Sequence, residues 1–106
     1  MKRKGKSVKA LLRQWSKDVR ARDNNECQLC GVKHGDIRDG KVIWLQAHHI
    51  EDKMSRATRL LLCNGITLCP TCHKWGKESA HRSPLRFMAW LVANKRQQVI
   101  ELISAL

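Results

Sequence analysis

Apolar side chains recur at helical spacing near the start of the chain. From Ser7, a candidate N-cap, to about Arg22 the pattern predicts one amphipathic helix. Its apolar positions are Val8, Leu11, Leu12, Trp15 and Val19. We expect this stripe to pack against the rest of the domain.

A different pattern follows in the middle of the chain. The segment KVIWLQAHHI, residues 41–50, is rich in β-branched and aromatic side chains and predicts one strand. GITL, residues 65–68, predicts a short return strand, and residues 51–63 form a connection with at most a helical turn. We expect Trp44 and Trp75 to lie in the core rather than to stack on bases.

The last part of the chain is helical in pattern. Ser83 is a candidate N-cap, and Pro84 suits the first helical position because that position needs no backbone N–H. The sequence predicts one helix of five or six turns, kinked near Asn94, that packs on the domain or forms a dimer contact. The chain is therefore expected to be one α+β domain over residues 7–82, with a disordered basic arm at 1–6 and a helical extension at 83–106.

Charge is unevenly distributed along the 106 residues. There are 21 Lys and Arg against 9 Asp and Glu, and residues 1–22 carry +8 of the net +12. Such a focus of positive charge favours a nucleic-acid partner over a solubilising tail or an anionic membrane surface. Candidate phosphate contacts are Arg13, Lys17 and Arg20 in the first helix, Arg56 and Arg59 in the connection, and Lys74 and Lys77 further on.

Five cysteines include two CxxC pairs, Cys27/Cys30 and Cys69/Cys72, with 38 residues between them. Two tight turns that each present two thiolates can complete a tetrahedron around Zn²⁺, so a structural zinc site is predicted. A redox role is disfavoured because no thioredoxin-like βαβ pattern surrounds either pair. Cys63 or His34 remains a substitute for one ligand. Reduced thiols, the absence of a secretory leader pattern and the absence of a membrane-length apolar run favour the cytoplasm.

Histidines occupy the segment between the cysteine pairs and the residue after the second pair. His49 is followed by Asn64 after 14 residues and then by His73 after eight more, and His48 precedes His49 directly. The segments CQLC (27–30), AHHI (47–50) and NGITLCPTCH (64–73), in this order and spacing, resemble the HNH endonuclease family, with its ββα-metal fold. The resemblance covers roughly residues 15–80.

The resemblance implies a division of roles. His48 and His73 would hold a catalytic divalent ion (Mg²⁺, Mn²⁺, Ni²⁺ or Zn²⁺), His49 would be the general base, and Asn64 would keep the loop that carries the base in shape. The four-cysteine zinc would be a separate, structural ion. His81 is left open as a third ligand, with surface placement preferred. Neighbouring strand residues point to opposite faces, so His48 and His49 can share one reaction only if the strand ends or bulges there.

The implied activity is hydrolysis of DNA phosphodiesters with low or partner-directed sequence specificity, as nicking or double-strand cutting. The chain resembles the small free-standing members of this family that are common in bacteria and their phages, which implies phage packaging proteins as partners. We expect the chain to be a monomer or a homodimer through its C-terminal helix. The alternative is a zinc-knuckle protein that binds DNA without cutting it. RNA cleavage is a third hypothesis.

Overall fold

The computed structural model describes residues 7–106, and the expected basic arm at 1–6 lies outside the described residues. Helix α1 spans Val8–Arg22. The Ser7 hydroxyl accepts a hydrogen bond from the Ala10 N–H at 3.1 Å, which satisfies one of the unpaired donors at the helix start. The predicted first helix is therefore confirmed at both ends.

Four short strands form two antiparallel pairs. Strands β1 (Ile37–Arg38) and β2 (Lys41–Val42) make one pair, and β3 (Gln46–His49) and β4 (Gly65–Leu68) make the other. In the second pair His48 lies opposite Ile66 and His49 lies opposite Gly65. The single strand predicted over 41–50 is wrong, because the chain leaves the first sheet after Val42 and the Leu45 N–H bonds to the His34 ring at 3.0 Å instead of to a strand.

The connection from β3 to β4 ends in a 3₁₀ turn at Leu62–Asn64, and β4 leads through Cys69 and Pro70 into a wide helical turn at Thr71–Trp75. This π turn is closed by the Gly76 N–H donating to the Thr71 carbonyl at 2.8 Å. Pro70 stands directly before the turn, where its missing N–H costs nothing. Two antiparallel strands are thus followed at once by a helical segment.

The C-terminal region contains two helices, α2 (Pro84–Asn94) and α3 (Arg96–Ser104). One continuous helix was predicted with a kink near Asn94, but the chain breaks at Lys95, whose φ of −130° is not helical. The Ser83 hydroxyl is not a cap here, since it donates to the Lys77 carbonyl at 2.6 Å. Among residues 7–106 no helix is both long enough and apolar enough to cross a bilayer.

The β3–β4 pair lies between helices. Its Gly65 and Thr67 face is covered by Trp15 and Val19 of α1. The other face joins the main apolar core, whose buried members are Cys27, Val32, Leu45, Ile66, Leu68, Cys69, Ala80, Phe87 and Leu91. Trp44 and Trp75 were expected in this core, but they are 60% and 72% exposed. The observed class is α+β, with a cysteine cluster at the edge of the core.

Candidate metal centres and active site

The four cysteines of the two CxxC pairs converge. Their sulfur atoms all lie within 4.8 Å of one another, and the Sγ atoms of Cys30 and Cys69 are 3.7 Å apart. Tetrahedral zinc with bonds of about 2.3 Å places its sulfurs about 3.8 Å apart, so the spacing fits Zn²⁺. The Cys72 N–H also points at the Cys69 sulfur, at 3.4 Å, as expected where a thiolate needs partial neutralisation.

The thiols of this cluster shift one another's pKa values. A hydrogen bond from the Cys72 thiol lowers the pKa of Cys27, and the same bond, with burial, raises the pKa of Cys72. The two thiols thus differ in how readily they lose their protons, and a metal ion bound here would displace those protons. Cys63 and His34 lie outside the cluster, and the His34 Nδ1 accepts the Leu45 N–H. Neither residue therefore replaces one of the four cysteines as a ligand in this cluster.

A second cluster contains three imidazoles. The ring nitrogens of His48, His73 and His81 offer ligand atoms within 4.8 Å of one another. The Nε2 atoms of His73 and His81 are 3.0 Å apart. Two metal–nitrogen bonds of about 2.0–2.1 Å that meet at roughly a right angle give this separation, so the pair fits one shared divalent ion.

The orientation of His73 is fixed from outside the cluster. Its Nδ1 lies 2.7 Å from the Gln46 side-chain oxygen, and because that oxygen only accepts, Nδ1 carries the proton. Nε2 is then left with its lone pair toward His81. Gln46 and His48 are two residues apart on β3, so both face the same side of the sheet.

His81 reaches the cluster because residues 76–83 fold back on the π turn. The Ala80 N–H donates to the Cys72 carbonyl at 2.8 Å, and the His81 N–H donates to the His73 carbonyl at 3.0 Å. Simple surface placement was preferred for His81. Its side chain is indeed exposed, but its ring nitrogen lies within the cluster. Eight residues of separation in sequence gave no direct signal of this return.

The three-histidine cluster is suited to binding a cation at neutral pH. Burial, and then the neighbouring imidazoles, lower the pKa of His48 to about 3. Burial, His81 and Lys74 lower the pKa of His73 to about 4. Both rings are therefore neutral at pH 7 and present lone pairs rather than charge, as metal ligands must.

His49 faces the opposite side of the sheet. Its ring is stacked on Trp15, with 3.9 Å between ring centroids and 11° between planes, and its Nε2 lies 3.0 Å from the Arg59 carbonyl oxygen. No bulge separates it from His48, since regular pairing continues to His49, where the strand ends. At that end both histidines line one cavity of about 350 Å³, together with His73, His81, Lys53 and Lys74.

Asn64 closes the loop that leaves the strand. It is fully buried, its side-chain oxygen accepts the Glu51 N–H at 2.6 Å, and its side-chain nitrogen donates to the Glu51 carbonyl at 3.1 Å. Residues 49–51 are thereby tied to the residue that precedes β4. Asn64 therefore acts on the backbone beside His49 rather than on the cavity itself.

The basic residues named from the sequence divide into separate groups. Lys74 lines the cavity, whereas Arg13, Lys17, Arg56 and Lys77 are exposed elsewhere and the Arg20 guanidinium donates to the Ser16 carbonyl at 3.2 Å. Arg59 contributes its carbonyl to His49. Lys53 also lines the cavity and was missed by sequence reasoning; its position four residues after His49, in a loop tied back by Asn64, was the available signal.

The chain matches no protein-family model, no curated protein and no solved structure. The chemistry of the two ligand clusters and of the cavity beside them is therefore the basis for assigning a function.

Proposed function

We propose that the protein is a metal-dependent DNA endonuclease of the HNH type, in which β3, β4 and the π turn are the ββα-metal core. One observation supports this most directly: three imidazoles converge at a cavity that His49 lines from the neighbouring position of the same strand. Histidines with unrelated roles are not expected to converge on one point from a strand, a helical turn and a returning loop.

His48, His73 and His81 would hold the catalytic divalent ion, and the four cysteines would hold structural zinc. When bound, the catalytic ion supplies positive charge to the phosphate and to the departing oxygen. Three protein ligands leave positions free for substrate oxygens. The His73–Gln46 contact keeps the correct nitrogen directed at the site.

His49 has the tautomer that a general base needs. The Arg59 carbonyl can only accept a hydrogen bond, so Nε2 carries the proton and Nδ1 has the lone pair. Burial lowers the pKa of His49, which keeps the ring neutral at pH 7. Nδ1 then takes a proton from water, the water oxygen bonds to phosphorus, and the bond from phosphorus to the 3′ oxygen breaks, so that the ends are 5′-phosphate and 3′-hydroxyl once solvent protonates the 3′ oxygen.

The charge of the site suits a polyanion. Lys53 and Lys74 line the cavity together with one carboxylate, that of Asp52, and the chain carries a net charge of +12. Ammonium groups beside a reacting phosphate favour binding and the increase of charge in the transition state. DNA is preferred to a small phosphate ester as substrate because the basic excess extends well beyond the cavity.

A plasmid-cleavage assay tests the proposal. Supercoiled plasmid is incubated with zinc-loaded protein and Mg²⁺, Mn²⁺, Ni²⁺ or Zn²⁺, and conversion to nicked and linear forms is followed on a gel. We expect wild type to cleave and His49→Ala to lose about 10²- to 10⁴-fold in rate, which is the usual contribution of a general base. His34→Asn is the matched control, since an Asn oxygen can still accept the Leu45 N–H and neither residue lines the cavity.

Two outcomes would change the assignment. Wild type that binds plasmid and cuts it with none of these ions would support the zinc-knuckle DNA-binding alternative. Faster cleavage of a structured RNA than of DNA under the same conditions would move the substrate to RNA.

A further inference from the structure

We propose that Trp15, on helix α1, is a positioning residue that holds His49 in the orientation needed for proton abstraction. This inference rests on the proposed function, because it assigns a residue outside the two strands and the π turn to the same reaction. Trp15 lines no part of the cavity and belongs to neither ligand cluster. An effect on cleavage that leaves ion binding and folding intact would therefore act through His49.

The indole covers one face of the imidazole. The ring centroids are 3.9 Å apart and the planes are inclined by 11°, which is a close parallel contact over the whole imidazole. Trp15 is 5% exposed, so water does not compete for this face. The contact prevents the ring of His49 from tilting toward α1.

The absence of a side chain at Gly65 provides the space that the indole occupies. Gly65 is the cross-strand partner of His49. A Cβ atom on Gly65 would lie 2.6 Å from Cζ2 of Trp15 and 2.5 Å from Cγ2 of Val19. Only a residue without a side chain lets α1 approach closely enough for Trp15 to reach His49.

Trp15 also supports the edge of the imidazole through the backbone. Its Nε1–H donates to the Leu61 carbonyl at 2.8 Å, two residues beyond the Arg59 carbonyl that holds Nε2 of His49. One side chain thus fixes the face of the ring directly and helps to fix its Nε2 edge through residues 59–61. The Nδ1 edge is left for the water molecule.

The test compares zinc-loaded Trp15→Leu and Trp15→Phe with wild type and with Trp44→Leu, which also removes an indole but from a side chain that is 60% exposed. We expect Trp15→Leu to lower kcat about 10- to 100-fold with little change in KM, because a small misplacement of a reacting group can cost a hundredfold in rate. Trp15→Phe retains an aromatic face without the N–H and should recover part of that loss. Trp44→Leu should cleave like wild type.

Two further readouts separate positioning from simple loss of structure. The affinity of the histidine cluster for Ni²⁺, measured by calorimetry on zinc-loaded protein, should be unchanged in both Trp15 variants. The ring-proton resonances of His49, shifted upfield by the indole in wild type, should move toward random-coil values in Trp15→Leu without DNA present.

The outcomes are distinguishable. If Trp15→Leu binds Ni²⁺ normally, loses the upfield shift and still cleaves at the wild-type rate, the inference is wrong and the nuclease function stands. If wild type shows the upfield shift but none of the tested ions supports cleavage, the proposed function is wrong. The positioning role is then wrong as well. A Trp15→Leu variant that loses Ni²⁺ binding would show a structural role and would also overturn the inference, with Trp15→Phe as the milder check.

Discussion

Asn64 is the residue whose individual contribution is easiest to isolate. Its amide makes two hydrogen bonds to the backbone of Glu51, at 2.6 and 3.1 Å, from a fully buried position. Both Glu51 groups would lose their partners if the amide were removed, and unpaired backbone groups are costly in a buried position. The chain immediately after His49 is therefore held by this side chain, in addition to the Ile50 N–H that donates to the Asn64 backbone carbonyl at 3.0 Å.

We expect Asn64→Ala to lower the free energy of unfolding by about 1–3 kcal/mol, the usual cost of leaving buried polar partners unpaired. Cleavage should fall as well, because residues 49–51 lose two of the hydrogen bonds that hold them to residue 64. Urea denaturation followed by circular dichroism measures the first effect and the plasmid assay the second. Asn94→Ala is the matched control, since the Asn94 side chain donates to the Trp90 carbonyl of its own helix at an exposed position; an equal loss in both variants would contradict this role for Asn64.

At the scale of elements, α1 and the β3–β4 pair are held together by polar as well as apolar contacts. The Arg22 guanidinium donates to the Leu62 and Gly65 carbonyls at 2.6 and 2.7 Å and pairs with Asp23. Asp23 in turn accepts the Thr67 N–H at 2.9 Å. The end of α1 therefore helps to set its distance from β4, and at Gly65 an added Cβ atom would overlap Val19 and Trp15 of the helix.

We expect Gly65→Ala to lower the free energy of unfolding by about 1–3 kcal/mol, the usual cost of overpacking, because the added methyl group overlaps the side chains of Val19 and Trp15. Thermal and urea denaturation measure the change. The same substitution in a Trp15→Leu background is the internal control: the penalty should shrink there, since the indole that causes part of the overlap is gone. An undiminished penalty would place the conflict elsewhere.

Sequence patterns predicted the elements that have strong local signals. Helix α1 has an N-cap serine and a regular apolar stripe, and it was predicted at both ends. The β1–β2 hairpin was missed although Asp39–Gly40, with φ of +53° and +74°, is the dipeptide that favours a two-residue turn. One helix kinked near Asn94 was predicted, whereas the structure has two helices separated at Lys95.

At the scale of the whole molecule, the sequence indicated which residues could act together but not how they would meet. The two CxxC pairs, 38 residues apart, were matched by their spacing and do converge. Surface placement was preferred for His81, because its position beside His73 depends on backbone hydrogen bonds from Ala80 and His81 to the π turn. Trp44 and Trp75 were predicted to lie in the core because large apolar side chains favour burial. The small core has room for few indoles, and these two are exposed.

The four-cysteine cluster lies where a structural metal such as zinc would stabilise this small core. Cys27 and Cys69 belong to the main apolar cluster, and the site joins the loop after α1 to the turn after β4. A zinc ion held there would close a long loop and displace thiol protons, so its binding free energy would add to the free energy of folding.

We expect removal of zinc by a strong chelator to lower the free energy of unfolding by several kcal/mol, with cooperative loss of secondary structure on mild heating. Circular dichroism melts with and without chelator, alongside zinc content by elemental analysis, measure this. Cys30→Ser should lose zinc and match the chelated protein, whereas Cys63→Ser, outside the cluster, should retain one structural zinc and melt like wild type. Equal zinc retention and equal melting temperatures in these two variants would show that the four thiols do not form a structural metal site.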